Sequence, residues 1–353
     1  ALSESETWKL FLDSGKGTNS IVGSDLTVSN AVTLSDPGDQ IQAGDANLTL
    51  SGGMTLSSGN ISVYEGKISL GNTGSITEEG VLDVSNATLE LNAGLNVSGS
   101  GTLKTSSGTT LTLNNNALDF SGGTAATGGV LEVDEMLTLD GMTFDQKSTI
   151  KPTADTTIIS SAPLTVKTID MGTHFLMLGS ETTALTIADS ITINYPGPNG
   201  LNSGDANLTL NGPVNVLEGG ILSSGGTVTF GTGSSGASFS EEKSGVLLED
   251  TTLVLQTALD LPYLQLSGTS LLQTNGNTLS LGDLAIGIDS EFDLTNVATD
   301  NESDLDLIGN SAITKTGDLV FKEIKFNGYS LTLNTAITSL TAENIDLPTW
   351  DSD

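Results

Sequence analysis

Short runs of polar–apolar–polar–apolar residues recur along this chain, bounded by Gly, Asn or Ser. Asn47-Leu48-Thr49-Leu50, Thr88-Leu89-Glu90-Leu91, Thr110-Leu111-Thr112-Leu113 and Ser330-Leu331-Thr332-Leu333 are examples. Alternation over so few residues is the period-2 signature of a short strand with one face buried. Spacing of the helical kind is nearly absent. The first apolar residues of the units align as a column: Leu26, Leu48, Ile68, Leu89, Leu111, Leu137, Leu164, Leu185, Leu208, Val228, Leu253, Leu279, Leu305 and Leu331. Their intervals of roughly 20 to 27 residues are those of a solenoid. Two further apolar pairs usually separate consecutive members, as Met54/Leu56 and Ile61/Val63 do between Leu48 and Ile68. The pattern therefore predicts an all-β, parallel β-solenoid of about 13 coils with three short strands per coil, each coil burying its leucines only against its neighbours. Right-handedness is expected from the general rule for parallel crossovers.

The expected organisation has three parts. Residues 1–24 form an N-terminal cap or donor segment, 25–347 the solenoid, and 348–353 a C-terminal tail. Tyr195-Pro196-Gly197-Pro198-Asn199-Gly200 is the strongest chain breaker and marks a break or a protruding loop near 195–204. Just after it, Gly204-Asp205-Ala206-Asn207-Leu208-Thr209-Leu210 repeats the phrase at 44–50. Gly and Asn at corners permit the positive φ that sharp turns need. Asn92, Asn114, Asn211 and Asn334 follow strands of the column, where either an amide ladder or local turns would suit them.

Charge bounds the function. Acidic residues outnumber basic ones 43 to 11, for a net charge of -32. Such a chain repels phosphate backbones, which argues against nucleic acid as a partner. Arginine is absent, cysteine is absent, and His174 is the single histidine. No disulfide, thiolate metal site or thiol nucleophile is available. No stretch reaches the ~18 apolar residues of a spanning helix, so membrane insertion is not expected. The opening Ala1-Leu2-Ser3 is compatible with a mature end left by signal cleavage.

The Leu-Thr-Leu strands, Ser/Gly/Asn corners, missing cysteine and acidic balance resemble bacterial surface β-helix proteins. These include autotransporter passengers, filamentous-haemagglutinin-like adhesins and some surface-layer or fibre proteins. The resemblance covers about residues 25–347, is one of pattern, and carries over no functional residue. It implies a non-catalytic extracellular protein at the bacterial cell surface, serving as fibre, stalk or lattice subunit. The implied partners are further copies of itself in an oligomer or filament, or a host-surface or glycan receptor.

Glycan-binding or glycan-cleaving β-helices, such as phage tailspikes and polysaccharide-degrading enzymes, are the rival. The missing arginines remove the bidentate clamp for uronate carboxylates, and aromatics are only 4% of the chain, few for sugar platforms. A paired-carboxylate glycosidase needs no arginine. No catalytic residue and no organic cofactor is assigned. His174, inside an apolar stretch, reads as a partly buried strand residue. Calcium is the one cofactor with candidates: Glu302, Asp304 and Asp306, which alternate across Leu305, with Asp36/Asp39 and Glu241/Glu242 weaker. Neither an EF-hand loop nor a calcium-binding β-roll repeat is present, so a solvated acidic face is the simpler reading. Trp8, Leu10, Phe11 and Leu12 near one end and Trp350 near the other are candidates for assembly, either capping an open solenoid end or adding as a strand to a neighbouring subunit.

Overall fold

The structure, a computed structural model, describes residues 18–20, 25–106, 108–121, 128–134, 136–197, 199–240, 244–288, 291–299 and 302–347. It is all-β, with parallel stacked strands coiling as a β-solenoid of about 14 turns in total. The only helical turn among the described residues is the 3-10 segment Thr232–Gly236. Two compact units divide the chain: residues 1–157 with 164–170, and residues 158–163 with 171–353.

In the first unit a coil has three short strands. Gln40–Gln42, Leu48–Leu50 and Met54–Leu56 make one coil; Asn60–Ser62, Lys67–Leu70 and Gly74–Ile76 make the next. Each strand pairs in parallel with its counterpart: Ile41 with Ile61, Leu48 with Ile68, Leu56 with Ile76. All six residues are buried. Leu26, Leu48, Ile68, Leu89 and Leu111 stack in the expected order.

Corners use the residues that tolerate positive φ: Asn86, Asn114 and Asn115 lie at φ 53°, 49° and 62°. The duplicated phrase makes the same corner twice. Gly44 and Gly204 have φ of 50° and 53°. Two residues on, Ala46 and Ala206 donate their amides to the carbonyls of Ala43 and Ser203 at 2.9 and 3.0 Å. Each alanine is buried, and each corner delivers its chain into an Asn-Leu-Thr-Leu strand whose leucines enter the core. The segment 195–204 does not interrupt the second unit's ladder, because Leu201–Asn202 pairs with Leu176–Met177 before it and Ile221–Leu222 after it.

In the second unit some strands run straight through a corner. Leu259–Gly268 and Leu279–Ile288 pair from Leu259↔Leu279 to Gly268↔Ile288, bending where Gly282 lies over Pro262. A Cβ on Gly282 would come within 2.5 Å of the Pro262 carbonyl oxygen, so only glycine fits that corner. Gly317–Lys325 and Ile337–Asp346 are similarly long.

The leucine column needs correction. It breaks first after Leu111, whose strand is the last of its sheet, with Leu137 on a different sheet. In the second unit Leu185, Leu208, Val228 and Leu253 stack on one another, but Leu253 is followed by Leu272, not Leu279. Leu279 stacks between Leu259 and Val297, while Leu305 stacks between Leu284 and Ile324. Leu331 pairs with Ser311 on yet another sheet. The intervals of 26 residues are thus one coil plus one side; the coils themselves span about 18 to 21 residues here. Every apolar residue on the inside of a coil satisfies the same alternation, so spacing alone cannot say which side it lies on.

Candidate functional site

Outward positions carry the polar chemistry, and stacking places them in columns one strand apart. In the first unit, Asp83, Lys104, Glu132 and Lys151 are successive partners in one ladder. The Glu132 carboxylate receives Lys104 Nζ at 3.3 Å and Lys151 Nζ at 3.0 Å. Burial pushes the Glu132 carboxyl up, but the hydrogen bond from Lys151 and the charges of both lysines outweigh it and hold the group below its ordinary value. Lys151 is correspondingly raised, first by its hydrogen bond to Glu132, and the negative charge of Asp170 adds to the effect. The column thus alternates in sign. A second pair, Lys67 and Glu90 at 2.8 Å, is joined by Ser69, whose hydroxyl donates to Glu90 at 2.8 Å.

The second unit carries the densest cluster. Tyr263 pairs with Asp283 and Asp304 with Glu323, while the Asp304 amide donates to Asp283 Oδ1 at 3.1 Å and links the two pairs. In the adjacent column Gln265 pairs with Ala285, Ala285 with Asp306, Asp306 with Lys325, and Lys325 with Asp346. Lys325 Nζ sits among three carboxylates: Asp304 at 3.2 Å, Glu323 at 3.2 Å and Asp306 at 3.6 Å. Burial would lower the Lys325 ammonium, but hydrogen bonds to Asp304 and Glu323 and the charges of Asp306 and Asp304 raise it well above its ordinary value. Asp304 Oδ1 and Asp306 Oδ1 are buried and accept no hydrogen bond. Beside them the Tyr263 hydroxyl donates to Gln265 at 3.0 Å. It is pushed up first by burial, then by the carboxylates of Asp306 and Asp283.

This arrangement gives the calcium candidates different surroundings from those the sequence suggested. Asp304 and Asp306 do flank buried Leu305 on the outside, but both face the Lys325 ammonium, and Glu302 lies exposed in the preceding turn. Among the described residues, no group of three or more His, Asp or Glu side chains is arranged to hold a metal ion. Asp36 and Asp39 close a turn on each other, the Asp36 amide donating to Asp39 Oδ2 at 3.3 Å. Glu241 and Glu242 lie outside the described residues, as do Trp8, Leu10, Phe11, Leu12 and Trp350. His174 is half-buried but stands in the turn before the strand Leu176–Leu178, not in a strand, its amide bonded to the Met171 carbonyl at 3.0 Å.

Sequence reading missed Lys325 and the Glu132 ladder. Apart from Glu323, two residues from Lys325, their partners lie 19 to 28 residues away, and pairing them requires the length of each individual coil. The outward position of Lys104 and Lys151 was legible from alternation; their shared carboxylate was not. Asn114 Nδ2 donates to Asn92 Oδ1 at 3.1 Å, one rung of an amide ladder, whereas Asn334 accepts from the Ala336 amide at 3.0 Å in a local turn. Phe120, Phe230, Phe292 and Phe321 are fully buried, so these rings fill the core instead of offering sugar platforms. Ser234, Ser235, Asp260, Thr278 and Ser280, together with Ala237, Ala258 and Leu259, line an open depression of mixed polarity. No protein-family model, curated protein or solved structure matches the chain.

Proposed function

We propose that this protein is a non-catalytic structural or adhesive element of the bacterial cell surface, a fibre, stalk or lattice subunit that self-assembles. The observation that carries this reading is the stack itself: inward apolar side chains fill continuous core columns, and outward charges such as those around Glu132 and Lys325 pair with their own neighbours. Coils of this kind bury their apolar residues chiefly against adjacent coils, so the same contacts can join one copy to another.

Electron microscopy of the purified chain, with light scattering across a salt and calcium series, tests the proposal. Ordered filaments or sheets are expected. Monomers under every condition would leave only a lone stalk or adhesin rod binding a host-surface or glycan receptor.

The face carrying Tyr263, Asp283, Asp304, Asp306 and Lys325 favours a second reading, a glycan-binding or glycan-cleaving surface. An aromatic ring beside several carboxylates is what such a site requires. Against it, the carboxylates are already engaged by Lys325. Binding or cleavage of a glycan panel that is lost in Asp306→Asn would establish this alternative.

A further inference from the structure

Parallel stacking turns each outward position into a column, so each side of a coil has a charge of its own. One side of the second unit is built from residues 184–187, Asn207–Leu210, Thr227–Phe230, Thr252–Leu255 and Leu271–Gln273, paired in register. Its central outward column is Thr186, Thr209, Thr229, Val254 and Gln273. The column beside it begins at Ala184 and Asn207 and ends at Leu271, which is 48% exposed. Neither column holds a charged residue. The side formed by Gly245–Glu249 and the strands stacked after it is different, because Glu249, Asp283, Asp304, Asp306 and Glu323 stand outward there around Lys325. In a chain of net charge -32, an uncharged side is the exception.

Charge decides what such a side accepts. It offers an anion no cationic group, and a cation is drawn to the acidic side instead. Small and β-branched side chains in regular columns pack closely on an identical set, as paired faces of stacked parallel strands do when their charge is low. Two copies that meet here also keep the carboxylates of Asp283, Asp304 and Asp306 out of the contact. Exposed Asp189, Asp205 and Asp250 stand at the corners that bound the strands, so the approach needs salt to screen them. We infer that this uncharged side packs face to face on the same side of a second copy, about a twofold axis through Thr229, the middle residue of the central column. The inference rests on the self-assembling reading above and gives it a lateral contact. Five strands about 4.8 Å apart and about 13 Å long cover about 300 Å² per copy, well under the ~800 Å² per partner of a standard interface. A single pair is therefore weak, and the contact gains strength where copies line up and repeat it.

The chain has no cysteine, so an introduced thiol is the only one present. Thr229→Cys places it at the centre of the uncharged side, and Glu249→Cys places it on the charged side of the same unit. Each variant is checked for parental circular dichroism and treated with a short bismaleimide at high protein concentration in moderate salt. Denaturing electrophoresis is expected to show several-fold more cross-linked dimer for Thr229→Cys than for Glu249→Cys. Adding Thr209→Glu to the Thr229→Cys chain should bring its dimer down to the Glu249→Cys level, because like charges then face each other across the contact. Equal dimer from the two thiols, or dimer indifferent to Thr209→Glu, would overturn the inference. A neutral glucan that shields Thr229→Cys from the maleimide, with no dimer formed, would give this side another occupant and overturn it as well. Polymers by light scattering without the Thr229→Cys cross-link would place the contact elsewhere, overturning the inference while leaving self-assembly standing. Monomers throughout would overturn both.

Discussion

At the scale of single residues, the outward charges differ in kind from the buried apolar columns. Glu132 is only 14% exposed and stands between two lysines that are 39% and 43% exposed. Solvent screening of the lysines limits what the pair of contacts contributes, so Glu132→Gln should cost about 1 kcal/mol. Because folding lowers the pKa of Glu132, its contribution is present above the unfolded-state value and is lost as pH falls through the folded-state value. Urea unfolding should separate parent and variant at neutral pH, and the separation should close as pH falls through the folded-state value. The comparison must be between the two chains, because acid also relieves the repulsion within a chain of charge -32. Leu279→Asp tests the core. Leu279 is fully buried between Leu259 and Val297, and an unpaired carboxylate there should cost on the order of 3–5 kcal/mol. A variant melting like the parent would contradict this placement.

Elements in this protein are interchangeable in a way that helices of a globular domain are not. A coil contacts chiefly the coils before and after it, so removing one whole coil should let its neighbours close up. Residues 264–283 are such a unit, because Leu264 and Leu284 occupy the same place in successive coils. Their deletion would set Leu284 on Val246, the present partner of Leu264, and Val297 on Leu259 in place of Leu279. The deleted chain should keep a β-type circular dichroism spectrum and cooperative unfolding. Removing only residues 264–273 shifts every later apolar residue by half a coil, and should yield an unfolded or aggregated second unit. Equal behaviour of the two deletions would mean that register is not what holds these strands.

For the whole molecule, charge is the governing quantity. The excess of 43 acidic over 11 basic residues cannot be cancelled by the few ion-pair ladders. Self-repulsion should fall as salt shortens the screening length to about 10 Å at 0.1 M. The melting temperature should therefore rise with sodium chloride. A fall would mean that the Glu132 and Lys325 clusters outweigh the net repulsion. Self-association should strengthen over the same salt range, since it brings like-charged chains together, and static light scattering reads it directly.

Fold class was legible in the sequence because alternation is a property of one strand. Leu48-Thr49-Leu50 needs no knowledge of its neighbours to declare one buried face, and Asn86 or Gly44 declares a corner by its tolerance of positive φ. The column from Leu26 to Leu111 was legible for the same reason, helped by coils of nearly constant length. Only tertiary structure decided that Leu279 and Leu305 belong to different columns. Both satisfy the same local pattern, and the difference lies in shortened coils whose strands run through a corner at Gly282. It also decided that Asp304 and Asp306 face Lys325, and that Glu132 is shared by Lys104 and Lys151. An outward side chain finds its partner one coil away, at a distance along the chain that each turn sets separately, so only the stacked register brings the two charges together.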